Sequence, residues 1–134
     1  MYIVSGCLAG LCCRYDGGNN ADERVMKLVA EGRAIPVCPE QLGGLATPRP
    51  PCEIVNGKIL SNEGNDVTEK FTRGAEEALK LAKLVGSKKA ILKARSPSCG
   101  IGRIYDGTFS GKLIDGDGFF AALLRKENFE LETE

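Results

Sequence analysis

The chain has 134 residues, 18 basic and 18 acidic side chains and 43% hydrophobic residues, enough to bury roughly two-thirds of its unfolded surface in one domain spanning residues 1–134. Its net charge of zero gives no bulk attraction to a phosphate backbone or an anionic membrane, and no apolar run approaches the ~18 residues that span a bilayer. Six cysteines, no histidine and no basic-then-apolar leader point to reduced thiols in the cytoplasm rather than disulfides.

In chain order, Tyr2-Ile-Val-Ser5 is a short β-prone run, followed by a loop rich in Gly, Cys and Asn that reaches Asn20. Asp22 to Glu31 carries acids in its first turn, apolar residues at Val25, Leu28 and Val29, and Gly32 as a stop, which predicts a helix. Ala34 to Val37 reads as a second strand. Cys38 to Glu53 holds four prolines and a glycine pair and reads as a long irregular loop, the kind that carries function. The Asn56-Gly57 pair between apolar dipeptides predicts a hairpin. Val67 to Val85 repeats apolar or small residues at helical spacing, with Asp66 or Thr68 as its cap and Gly86 as its end. Lys89 to Lys93 is a third strand, then comes a loop, a helix from Asp117 to Lys126, and a last strand from Phe129 to Glu132. Such an order predicts an α/β fold, three-layered and Rossmann-like or flavodoxin-like, with a small, mostly parallel central sheet and a short β-hairpin. The echo of Arg14-Tyr-Asp-Gly17 in Tyr105-Asp-Gly107 reads as two Asp-Gly turns.

The cysteines fall into place against this scheme. Cys7, Cys38 and Cys99 each follow a predicted strand, and the loops leaving strand C-termini of a parallel sheet gather on one edge, where ligands bind. Three thiolates gathered there make a soft-metal site. Cys13 is a fourth ligand or a reactive thiol; Cys12 and Cys52 read as filler. Zinc modules bring their ligands in close pairs and this chain has no C-x-x-C, whereas an iron–sulfur cluster accepts dispersed thiolates, and a cubane on three of them keeps one iron open as a Lewis acid.

With histidine absent, acid–base work near neutrality falls to carboxylate, thiol, lysine or tyrosine. Glu40, two residues beyond Cys38, is the best proton carrier in these loops, or else caps a helix or pairs with Arg49. Ser96 and Ser98 either hydrogen-bond a ligand or cap a turn, and Gly100 permits close approach of the backbone. Arg14, with Tyr15 and Asp16 beside it, is a candidate for gripping a planar or anionic substrate, as are Arg49 and Arg95, although solvated surface charge is the default for each arginine.

The stretches VSGCLAGLCCRYDGGN, PVCPEQLGGLATPRPPCEI, GNDVTEKFTRGAEEAL and ILKARSPSCGIGRIYDGTFSGKL together resemble the thiouracil desulfidase family, also known as domain of unknown function 523, over nearly the whole chain. The resemblance implies a small α/β protein that holds a [4Fe–4S] cluster on Cys7, Cys38 and Cys99 and removes sulfur from 2-thiouracil without net redox change. By motif, Glu40 and Ser98 are its proton-handling pair, and Cys13 matches a further family cysteine. Arg14, Tyr15, Asp16, Ser96 and Gly100 are then candidate substrate contacts. The expected partner is a small thiolated base or nucleoside, with no membrane. Two other readings stand beside it. Desulfuration of thiouridine within RNA is disfavoured by the balanced charge, and in a non-catalytic metal-binding or sulfur-carrying module the thiols would matter and Glu40 would not.

Overall fold

In the computed structural model, which describes residues 1–134, the elements run β1 Tyr2–Ser5, α1 Glu23–Ala30, β2 Ala34–Val37, α2 Pro39–Leu42, β3 Cys52–Val55, β4 Lys58–Ser61, α3 Thr68–Leu84, β5 Lys89–Leu92, β6 Arg103–Tyr105, β7 Leu113–Asp115, α4 Phe119–Lys126 and β8 Glu130–Thr133. The central sheet is wholly parallel, in the order β2-β1-β5-β8. From β1 the chain steps to one side to form β2, then crosses to the other side for β5 and on to β8. Right-handed crossovers in opposite directions put their helices on opposite faces. The core divides accordingly. Ile3, Ala90 and Leu92 pack with Ala75, Ala78, Ala82, Phe120 and Leu124 of α3 and α4. Their strand neighbours Val4 and Ile91 pack on the other face with Val25 and Leu28 of α1, as the alternation of side chains along a strand requires. The expected three-layer α/β fold is the one observed.

Local chemistry sets the element ends. Asp22 accepts from the Val25 amide at 3.1 Å to start α1. Asn56 and Gly57, with φ of 50° and 77°, form the tight turn between β3 and β4 that the Asn-Gly pair predicts. At the start of α3 the two candidates divide: the Thr68 hydroxyl accepts from the Ile59 amide at 2.9 Å and ties the helix to the hairpin, while Asp66 accepts from the Thr68 amide, the first of the helix, at 2.9 Å; the N-cap position itself is Val67.

Three features depart from the sequence reading. The proline-rich segment is not irregular throughout: Pro39 opens the one-turn helix α2, where its fixed φ and missing N–H are tolerated. The loop after β5 contains a second hairpin, β6 paired antiparallel with β7, too short to show a period. Cys12 is exposed, not a core filler. No helix is long and apolar enough to cross a membrane.

The short α2 is held by backbone contact with α3. A Cβ at Gly74 would lie 1.8 Å from the Pro39 carbonyl oxygen, and one at Gly43 would lie 2.0 Å from that of Lys70. Only glycine allows this approach. Gly74→Ala, which in an exposed helix would stabilise by about 1 kcal/mol, is expected here to destabilise by about 3 kcal/mol, because two backbones must separate. Chemical denaturation of the variant checks this, and an unchanged midpoint would refute it.

Candidate functional site

At the C-terminal edge of the sheet, β1 and β5 are neighbours whose chains leave in opposite directions, the switch point at which open α/β sheets bind ligands. A cavity of about 670 Å³ opens there, and Cys7, Cys13, Cys38 and Cys99 all lie on its wall. Each thiol is placed by a different device. Cys7 sits in a single 3-10 turn directly after β1. Cys38 directly follows β2 and precedes Pro39 as the N-cap of α2. Cys99 lies in a turn closed by the Ser96 hydroxyl, which accepts from the Ser98 and Cys99 amides at 3.0 Å each. The start of α4 clasps that turn, its Phe119 amide donating to the Pro97 carbonyl at 2.8 Å and its Phe120 amide to the Ser98 carbonyl at 2.9 Å. Those donors would otherwise be orphaned at the helix start.

The thiols feel one another. Burial pushes the Cys7 thiol up, opposed by a hydrogen bond from Asn20 and reinforced by Cys38. Burial likewise drives Cys99 far up, opposed by the Ser5 hydroxyl and reinforced by Cys7, Glu40 and Cys38. Cys13 and Cys38 share a proton: hydrogen bonding to Cys38 raises Cys13, while the same bond, with help from the Gln41 amide, lowers Cys38 to about 7 despite its burial. When protonated, the Cys38 thiol donates to the Cys13 carbonyl, at 3.7 Å. Such a set repels extra negative charge and favours a cationic centre. No three thiol or carboxylate groups of the chain close on a single metal ion.

These shifts have a stability consequence in protein stripped of metal and kept reduced. Cys7, Cys13 and Cys99 titrate in the fold above the ordinary 9.0, so the unfolded chain releases their protons first. Their contribution is complete below pH 9.0 and is lost as pH rises beyond it, at about 1.4 kcal/mol per pH unit for each thiol. Cys38 has the opposite sign, its contribution falling away as pH drops through about 7. Unfolding free energy measured upward from pH 9 is expected to decline, less steeply in Cys99→Ala; a flat profile would refute this.

On the same cavity, Glu40 receives two donors. The Arg49 Nε donates to Oε1 at 2.9 Å and the Ser98 hydroxyl to Oε2 at 3.3 Å. Arg49 is not a solvated surface charge: its side chain is 5% exposed against 15% for Glu40, and it also donates to the Cys13 carbonyl at 2.9 Å. The arginine thereby locks the Glu40 loop to the Cys13 loop. Of the alternatives considered for Glu40, the pairing with Arg49 is present and the cap is not: Glu40 lies in the first turn of α2, whose N-cap is Cys38 and makes no side-chain cap hydrogen bond.

The remaining candidates divide. Arg14, Tyr15 and Ser96 reach the cavity wall. Arg14 bonds Asn20 at 2.7 Å and Asp16 at 3.1 Å, and its guanidinium covers one face of the Tyr15 ring at 5.8 Å. Asp16 is outside the wall, closing its turn by accepting from the Gly18 amide at 2.9 Å. Gly100 is buried behind the wall, where a Cβ would meet the Ser96 carbonyl oxygen at 2.7 Å. Ser98 too is behind it, 2% exposed, reaching the site through Glu40. The two Asp-Gly turns deliver Tyr15 and Tyr105 to the same cavity. Sequence reasoning passed over Asn20 and Ser5, which hydrogen-bond Cys7 and Cys99; only their place at the end of a strand or of a cysteine loop marks them.

The chain is thus an α/β domain whose switch-point cavity has thiols on its wall and, among them, a carboxylate bound to an arginine and a hydroxyl. Comparison with known proteins is specific about which one. The family model of 2-thiouracil desulfurase matches residues 2–134, and the chain belongs to that family. It is 46% identical over 144 residues to the uncharacterized protein YbbK of Bacillus subtilis (strain 168), covering 100% of this chain and 95% of that protein. It is similar, with a TM-score of 0.94 and 47% identity over 99% of this chain and 89% of the other, to the solved structure of the [4Fe–4S]-dependent thiouracil desulfidase TudS.

Proposed function

We propose that this protein is a cytoplasmic, single-domain hydrolase that replaces the sulfur of a small thiolated pyrimidine base or nucleoside by oxygen, with a [4Fe–4S] cluster held by Cys7, Cys38 and Cys99. The observation that carries the reading is Glu40 on the cavity that gathers the thiols, hydrogen-bonded to Ser98 behind the wall. A non-catalytic metal module has no use for that pair. Donor chemistry supports the cluster: the ligands are all sulfur, Cys7 and Cys99 buried and Cys38 half-buried, mutually repelling, and they do not close on one ion. A zinc tetrahedron demands that closure, while a cube bound at separate corners spreads its ligands wider.

When bound, such a cluster supplies an iron with an open position, a Lewis acid toward a thiocarbonyl sulfur. The chain's own residues move the protons. Arg49 fixes Oε1 of Glu40 and leaves Oε2 to take a proton from water as its oxygen adds to the ring carbon. Ser98, bonded to that same oxygen, passes a proton toward the departing sulfur or the ring nitrogen. The balance is C=S plus water giving C=O plus hydrogen sulfide, with no electrons exchanged. Anaerobic purification with iron and sulfide analysis, followed by incubation with 2-thiouracil, tests the reading. Uracil and sulfide in equal amounts are expected; a fully loaded protein that releases neither would overturn it.

A further inference from the structure

The cavity is also walled by the connection between β6 and β7. This connection is clamped from below. Oε1 of Glu53, on β3, accepts from the Gly107 amide at 3.0 Å and the Phe109 amide at 3.1 Å. Gly107, with φ of 92°, lies so close to β3 that a Cβ would meet the Ile54 carbonyl oxygen at 2.8 Å. Asp106 tightens the tip by accepting from the Thr108 amide at 2.9 Å.

The result is an unusual placement for Phe109. Its backbone has φ of 56°, a region unfavourable for a bulky L-residue, and its side chain is not repaid by burial in the core, being among the exposed large hydrophobics at 39%. It stands on the cavity wall, as does Glu53. An aromatic ring kept there by a carboxylate clamp is suited to a planar heteroaromatic ligand, which gains from stacking on a π-face. Tyr15 is less suited, since Arg14 already covers one of its faces.

Building on the desulfidase reading, we propose that Phe109 is the stacking face for the substrate ring, and that Glu53 is a positioning residue that holds the β6–β7 connection so that this face is presented. Neither residue touches the reacting C–S bond, so both act on binding. Stacking on an aromatic side chain is worth about 1–3 kcal/mol per base, and each 1.4 kcal/mol is tenfold.

The test compares cluster-loaded wild type with Phe109→Ala, Glu53→Ala, Glu53→Gln and the Phe109→Ala/Glu53→Ala double variant. For 2-thiouracil, Phe109→Ala and Glu53→Ala are expected to raise KM about tenfold or more with kcat within twofold. Glu53→Gln, whose amide oxygen still accepts both N–H groups, restores KM to near the wild-type value, and the double variant is no worse than the poorer single one. Hydrogen exchange of the Gly107 and Phe109 amides should accelerate in Glu53→Ala and not in Glu53→Gln. An unchanged KM in Phe109→Ala overturns the stacking role. Multiplicative losses in the double variant, or exchange unaltered in Glu53→Ala, overturn the clamp. If wild type binds 2-thiouracil calorimetrically without releasing sulfide, the desulfidase reading fails and the same ratios are read in Kd, scoring the proposal separately; no binding at all by wild type overturns both.

Discussion

Glu40→Gln is expected to lower kcat for 2-thiouracil by about 100- to 10,000-fold, the usual worth of a positioned general base, while iron content and the cluster's visible absorbance stay at wild-type levels. The argument is local. Gln keeps an acceptor for the Arg49 guanidinium, which bonds Glu40 at 2.9 Å, so the lock between the two loops survives, at a cost of ~2 kcal/mol for the weakened charge-assisted bond. It cannot take a proton from water. With no histidine in the chain, no ordinary substitute stands ready at neutral pH. Glu40→Ala is the poorer experiment, because it leaves a guanidinium that is only 5% exposed without its anion, and lost activity would then be confused with lost fold. Ser98→Ala should fall between wild type and Glu40→Gln. Iron retained with activity intact in Glu40→Gln would remove this carboxylate from the mechanism.

Removal of any one of Cys7, Cys38 and Cys99 as Ala is expected to reduce iron per chain from about four to near zero after anaerobic reconstitution, since a cubane that already forgoes one protein ligand has none to spare. Cys12→Ala, changed at an exposed position, is expected to keep its iron. Stability should hardly move: in reduced, metal-free protein, Cys99→Ala removes a thiol but no charge, so its unfolding midpoint near pH 8 shifts little compared with a large core truncation. Cys13 separates ligand from neighbour. Its proton is held against Cys38, and Cys13→Ala is expected to retain the cluster. Full iron in any of the three variants would exclude that cysteine from the ligand set.

Much of this site was legible before any coordinates. The strands ahead of Cys7, Cys38 and Cys99 are short, apolar and bounded by turn residues, and α/β order alone sends their following loops to one edge. The Asn56-Gly57 turn and the α3 periodicity are local signals and came out as expected. The β6–β7 hairpin was not legible, because three-residue strands of Arg103–Tyr105 and Leu113–Asp115 carry too few residues to display alternation. Nor was α2, whose one turn hides among prolines that ordinarily signal its absence.

The amino-acid order by itself therefore determined the layer architecture, the gathering of Cys7, Cys38 and Cys99 at one sheet edge and the candidacy of Glu40, since each rests on periodicity, composition or distance along the chain. Tertiary structure alone decided that Arg49 is buried on Glu40, that Ser98 reaches Glu40 from 58 positions away, that Asp16 and Gly100 stand off the cavity wall, and that Glu53 clamps the Phe109 loop from 56 positions away. Such pairings depend on which loops the sheet order makes neighbours and on backbone approaches as close as Gly43 and Gly74 permit. No local rule encodes a contact whose two halves become adjacent only when the whole chain has closed.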